Sequence, residues 1–134
     1  MYSDILIPTD GSPGAQEAIE HGLEIAQQYE ATVHALYVVS RSGPLLESLQ
    51  LEGRKAVRDL EVAGTQAGLT VVTEVVEGVP PQEILEYSAT QGIDLIVMGT
   101  QGRTGVDRFV MGSVAERVVR HSPVPVLMVR KEQL

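Results

Sequence analysis

Five short apolar runs, Asp4–Pro8, Thr32–Val39, Leu69–Val76, Asp94–Met98 and Val126–Val129, recur along the chain, and segments of helical period occupy most of the intervals between them. The first run is short and apolar without a helical period, which reads as a buried strand; the second is rich in β-forming residues, and the others read as strands as well. The first run leads into Thr9-Asp10-Gly11-Ser12-Pro13, a turn in which Ser12 can cap a helix and Pro13 suits its first position. Ala15, Ala18, Ile19, Gly22, Leu23 and Ala26 then repeat at helical spacing through about Tyr29. After a loop opened by Ser40 to Pro44, a polar helix is expected from Leu45 to Ala67, with Gly53 and Gly64 blurring its limits. Gly78 and Pro80-Pro81 precede a third helix that carries Ile84, Leu85 and Ala89 and stops at Gly92. Val114, Ala115, Val118 and Val119 mark a fourth, which Pro123 ends.

Strands that alternate with helices imply right-handed crossovers onto a parallel sheet. The expected fold is therefore α/β and Rossmann-like, a doubly wound five-stranded parallel sheet with helices on both faces. Ligands of such sheets sit beyond the carboxyl ends of the strands, where the strand order reverses. That directs attention to the turns after strands one, two and four.

A chain of 134 residues suits one domain, taken as residues 1–134. With no cysteine, disulfides and thiolate metal sites are excluded, and the hydrophobic core must carry the stability. No apolar stretch is long enough to span a membrane, and Met1 leads into a strand without a basic leader, so a soluble cytoplasmic protein is expected. The net charge of −8 argues against general nucleic-acid binding, which needs a cationic footprint. Charge is uneven, however. Residues 99 to 134 hold six basic side chains (Arg103, Arg108, Arg117, Arg120, Arg130 and Lys131) against three acidic ones, so the first 98 carry −11. An anionic ligand is tolerated mainly near the C-terminal third.

That third contains the motif with chemical content. After the fourth strand come Gly99 and Gly102, followed by Arg103 and then Gly112-Ser113 at the start of a helix. Glycines let a backbone approach an anion closely and adopt positive φ. The N-terminus of a helix presents unpaired N–H groups and a partial positive charge. Ser113 adds a hydroxyl and Arg103 a cation. Singly, each glycine could simply turn the chain and Ser113 could simply cap a helix; their joint occurrence at a strand end expected to face the ligand crevice makes a shared phosphate site the better explanation.

The spacing Gly-x2-Gly-x9-Gly-Ser from Gly99 to Ser113 is similar to that of the ATP-binding branch of the universal stress proteins. The resemblance extends over nearly the whole chain, through Ile5-Leu-Ile-Pro-Thr-Asp10, Leu36-Tyr-Val-Val39, Glu77-Gly-Val-Pro80, Asp94-Leu-Ile-Val-Met-Gly99 and Ser122-Pro-Val-Pro-Val-Leu-Met-Val129. It implies a nucleotide-dependent regulatory or stress-response module that takes ATP, with or without Mg2+, and is usually dimeric. Under it Asp10 engages ribose hydroxyls or adenine, Pro8 and Thr9 shape the pocket wall, and Val38 offers backbone groups to the adenine edge. Gly99 meets the ribose, and Gly102, Arg103, Gly112, Ser113 and Val114 surround the phosphates. Asp10 followed by Gly11 is also an ordinary turn sequence, and both roles can coexist.

Binding is supported more strongly than turnover. Neither Gly-x-Gly-x-x-Gly after the first strand nor Gly-x4-Gly-Lys-Ser/Thr is present, and no residue stands out as a general base. His21, His34 and His121 lack metal-ligand spacing and read as ordinary surface or partly buried residues. Two alternatives stay open: a slow ATP-hydrolysing or phosphate- or adenylate-transferring enzyme, and a nucleotide-independent dimerisation module. A homodimer is expected through the C-terminal strand. Val126, Leu127, Met128 and Val129 form an apolar edge whose pairing Pro125 confines to the residues beyond it.

Overall fold

The computed structural model describes residues 1–11, 13–40, 46–100 and 111–130. Their order is β1 (Asp4–Pro8), α1 (Pro13–Tyr29), β2 (Thr32–Val39), α2 (Leu46–Gln66), β3 (Val71–Glu77), α3 (Pro80–Thr90), β4 (Leu95–Gly99), α4 (Ser113–His121) and β5 (Val126–Val129). All five strands pair in parallel, in the order β3-β2-β1-β4-β5. This is the doubly wound α/β sheet expected from the alternation of strands and helices. The third strand starts two residues later than expected because Gly68, at φ 80°, still belongs to the turn that ends α2. Ser12, the expected cap of α1, and Leu45 lie outside the described residues, whereas Pro13 does open α1.

Alternation along the central strands divides the core in two. Ile5, Ile7, Val33, Ala35, Val39 and Val97 point to one face, where α1 and α2 cover them with Ala18, Ala26, Val57 and Leu60. Leu6, Leu36, Ile96 and Met98 point to the other, under Ile84 of α3 and Ala115 and Val118 of α4. Gly53 and Gly64 do not mark the limits of α2; both are buried within it. A Cβ on Gly53 would stand 2.8 Å from Cδ1 of Tyr37 and 3.2 Å from Cγ1 of Val75, and one on Gly64 would collide with Val71. Glycine there lets the helix backbone lie directly on β2 and β3.

His34 is 6% exposed and both ring nitrogens are used. Tyr87 of α3 lies 2.8 Å from Nδ1 and the Asp4 carboxylate 2.9 Å from Nε2. Burial, reinforced by the negative charges of Glu74 and Asp4, pushes the Tyr87 phenol above its ordinary value. Asp94 accepts the backbone N–H groups of Ser3 (2.8 Å) and Asp4 (3.3 Å) nearby. This polar cluster fixes the C-terminal part of α3 to the amino-terminal end of the sheet, away from the carboxyl ends of the strands.

Gly53→Val is expected to lower the unfolding free energy by about 1–3 kcal/mol, the usual cost of forcing volume into a packed contact. Urea denaturation checks this; an unchanged midpoint would show that α2 has room to move off the sheet.

Candidate functional site

β1 lies at the point where the sheet reverses direction, with β2 on one side and β4 on the other. The chain leaves β1 into α1 on one face and leaves β4 towards α4 on the opposite face. A crevice therefore opens above the end of β1. It has a volume of about 400 Å3 and is lined from every direction that converges there. Pro8, Thr9 and Asp10 come from the end of β1, Val38 and Ser40 from β2, and Met98 and Gly99 from β4. Gly112, Ser113, Val114 and Ala115 come from the start of α4, and Pro80 and Ile84 from the start of α3.

Thr9 is 6% exposed and builds the turn. Its N–H donates to the carbonyl of Leu36 (2.9 Å) and its Oγ1 accepts the N–H of Gly11 (3.2 Å). Gly11, at φ 78°, then reverses the chain towards α1, which leaves the half-buried Asp10 on the crevice wall.

Ladder parity decides what Val38 offers. On β2 the N–H of Thr32 donates to Ser3 and the carbonyl of Leu36 accepts from Thr9, so even-numbered residues turn their backbone groups towards β1. β1 pairs no further than Pro8 with Leu36. The N–H and C=O of Val38, two residues on, thus face the crevice above the last rung, a donor and an acceptor side by side.

The helix N-termini at the crevice are chemically opposite. On α4 the first intrahelical bond is from the N–H of Glu116 to the carbonyl of Gly112 (2.9 Å), so the N–H groups of Ser113, Val114 and Ala115 precede it. Gly112 holds the N-cap position and Ser113 is the first helical residue, so the Ser113 hydroxyl is not the helix cap. On α3 the first two helical residues are Pro80 and Pro81, which have no N–H, and the Glu83 N–H is already bonded to Val79. The start of α4 lines the crevice with donors; the start of α3, its neighbour on the same face of the sheet, lines it with the apolar Pro80 and Ile84.

Every expected site residue that is described lines this crevice: Pro8, Thr9, Asp10, Val38, Gly99, Gly112, Ser113 and Val114. Gly102 and Arg103 lie outside the described residues. Two expectations about the glycines change. Gly112 has φ −65° and Gly99 is a strand residue paired with Val129, so neither uses the left-handed conformation. The N–H of Gly112 is also taken, donating to the carbonyl of Thr100 (2.6 Å). What these glycines contribute is the absence of a side chain at the crevice wall.

Sequence reasoning missed Pro80 and Ile84. Their spacing marks one face of α3, but nothing local shows that this face reaches a crevice built by β1, β2 and β4. Among the described residues, no three His, Asp or Glu side chains converge on a common point, and no helix is long and apolar enough to cross a membrane.

Residues 1–130 match the model of the universal stress protein family. The universal stress protein MJ0531 of Methanocaldococcus jannaschii is 41% identical over an alignment covering 98% of this chain and 84% of that protein. Two solved structures superpose closely. UspA from Lactobacillus plantarum has a TM-score of 0.89 at 32% identity, covering 96% of this chain and 98% of that one. MJ0577, also a universal stress protein of Methanocaldococcus jannaschii, has a TM-score of 0.91 at 29% identity, covering 100% and 99%. Its matching model and relatives, together with the fold and the crevice, place this chain in the universal stress protein family.

Proposed function

We propose that the chain is a nucleotide-dependent regulatory module that binds an adenine nucleotide, ATP included, in the crevice above β1. The observation that carries this reading is the opposition between the α4 amides and the amide-poor, apolar start of α3. A nucleotide has that same polarity, an anionic end and a flat, largely apolar base with polar edges. The phosphates lie at Ser113, Val114 and Ala115, where the helix dipole adds to three N–H donors. The base lies towards Pro80 and Ile84, with its edge against the N–H and C=O of Val38. A crevice of about 400 Å3 is of ordinary size for such a ligand.

Asp10 gives the ligand a direction. A carboxylate repels phosphate and accepts hydrogen bonds from ribose hydroxyls, so its place is at the nucleoside. Gly102 and Arg103 extend the phosphate end of the site in this reading, and Mg2+ accompanies ATP where the phosphates need further neutralisation.

The same reading includes a homodimer formed along β5. This strand is at an edge of the sheet, with β4 as its neighbour on one side only. Leu127 is 37% exposed, Val126 and Met128 are half-buried, and the side chain of Val129 belongs to the core. Val126, Leu127 and Met128 therefore contribute side chains to the interface, and Val129 contributes its backbone. Antiparallel pairing about a two-fold axis satisfies the open backbone groups of both copies.

Two substitutions test these assignments. Asp10→Ala should weaken ATP binding at least fivefold while leaving inorganic tripolyphosphate unchanged or bound more tightly, as read by calorimetric titration. Equal losses for both ligands would move Asp10 to the phosphate end. Leu127→Lys should give a folded monomer at micromolar concentration by light scattering, whereas an undisturbed dimer would put the interface elsewhere.

A further inference from the structure

The crevice and the β5 edge are joined by two consecutive backbone hydrogen bonds that meet at Thr100. The N–H of Thr100 donates to the carbonyl of Val129 (3.1 Å), at the last residue of β5. The carbonyl of Thr100 accepts the N–H of Gly112 (2.6 Å), the N-cap residue of α4. Gly112 in turn accepts the first helical bond of α4, from Glu116. One unbroken chain of backbone bonds thus runs from the first turn of α4 to the end of β5.

We propose that occupation of the crevice tightens pairing at the β5 edge, and that Thr100 carries the coupling. This rests on the reading of the crevice as a nucleotide site and of β5 as the dimer edge. β5 has four residues and a ladder on one side only, from Ile96 with Val126 to Gly99 with Val129. A strand so short and one-sided has fewer bonds to break on opening than the central strands, and the Thr100 bond is the clamp on its last carbonyl. An anion on the α4 amides immobilises the first turn of α4 and Gly112, and with them the Thr100 carbonyl. The Thr100 N–H then holds Val129 in line. The ordering that dimerisation requires of β5 is partly met by the ligand, so the second event costs less.

Linkage makes the effect reciprocal: nucleotide tightens the dimer by the factor by which dimerisation tightens nucleotide. His34, Tyr87 and Asp4 lie at the opposite end of the sheet and take no part.

Gly112→Pro breaks the link. Proline fixes φ near the −65° that Gly112 already has and removes the N–H that bonds Thr100, while its ring adds bulk at the crevice wall and is expected to weaken ATP binding, so the comparison is made only at verified saturation. Sedimentation equilibrium of the wild-type protein is measured with and without ATP, with saturation verified by calorimetry under the same conditions. The dimer dissociation constant should fall at least fivefold with ATP. In Gly112→Pro, saturated with ATP by the same criterion, the fall should be less than twofold.

Hydrogen exchange of the wild-type monomer, diluted below its dimer constant, supplies a readout that needs no variant. ATP should slow exchange of the Thr100 amide. The coupling is overturned if ATP binds and the dimer forms but the dissociation constant is unchanged, if Gly112→Pro keeps the full wild-type tightening, or if Thr100 exchange does not slow. A flat calorimetric titration removes the nucleotide reading itself, and the coupling falls with it.

Discussion

Everything at the functional end of this molecule depends on β1 being flanked by strands whose connections leave on opposite faces of the sheet. Had the strands run in sequence order, successive helices would have closed over the strand ends. The order β3-β2-β1-β4-β5 instead parts α1 from α4 at the end of β1 and leaves backbone exposed there. Backbone is the chief resource of the site. Val38 presents a ladder position with no rung, and Ser113, Val114 and Ala115 present amides that a helix cannot bond for itself. Such donors lie on rigid elements and lose little freedom when a ligand arrives.

The same constraint is what would let an acidic protein hold the proposed anion site. The first 98 residues carry −11, and the described lining includes the carboxylate of Asp10. Fixed dipoles at one helix terminus favour an anion locally, while the field around the molecule disfavours polyanions in general. Specificity is sharpened by what the other helix withholds. Pro80 and Pro81 remove two of the amides that α3 would have offered, so of the two described helix starts that line the crevice from this face α4 is the richer in donors.

Much of this was legible in the sequence, for reasons that can be named. The strands β1, β2 and β4 were visible because burial on both faces demands apolar runs, and the start of α1 because Pro13 carries a local conformational preference; the edge strands β3 and β5 are only part-buried. Gly99, Gly112 and Ser113 followed from a spaced glycine motif at a strand end, and Pro8–Asp10, Val38 and Val114 from the resemblance to the universal stress proteins. Long-range facts left no local trace. Gly53 and Gly64 read as helix breakers because their worth lies in contacts with Tyr37 and Val71, residues on other elements. Pro80 and Ile84 enter the site only through the way α3 packs across the sheet. His34 looked unremarkable, since its partners Asp4 and Tyr87 are distant in sequence. Gly112 was read through close backbone approach and positive φ, whereas its φ is −65° and its N–H is bonded to Thr100.

The central claim is that the crevice above β1 receives an adenine nucleotide with its phosphates at α4. Its most direct test is an ATP titration of isotopically labelled protein followed through backbone amide resonances. The account predicts saturable shifts at Val38, Ser113, Val114 and Ala115, with inorganic tripolyphosphate moving only the last three, and quiet resonances around His34 and Tyr87. No saturable shift up to millimolar ATP, or shifts concentrated at the amino-terminal ends of the strands, would contradict it.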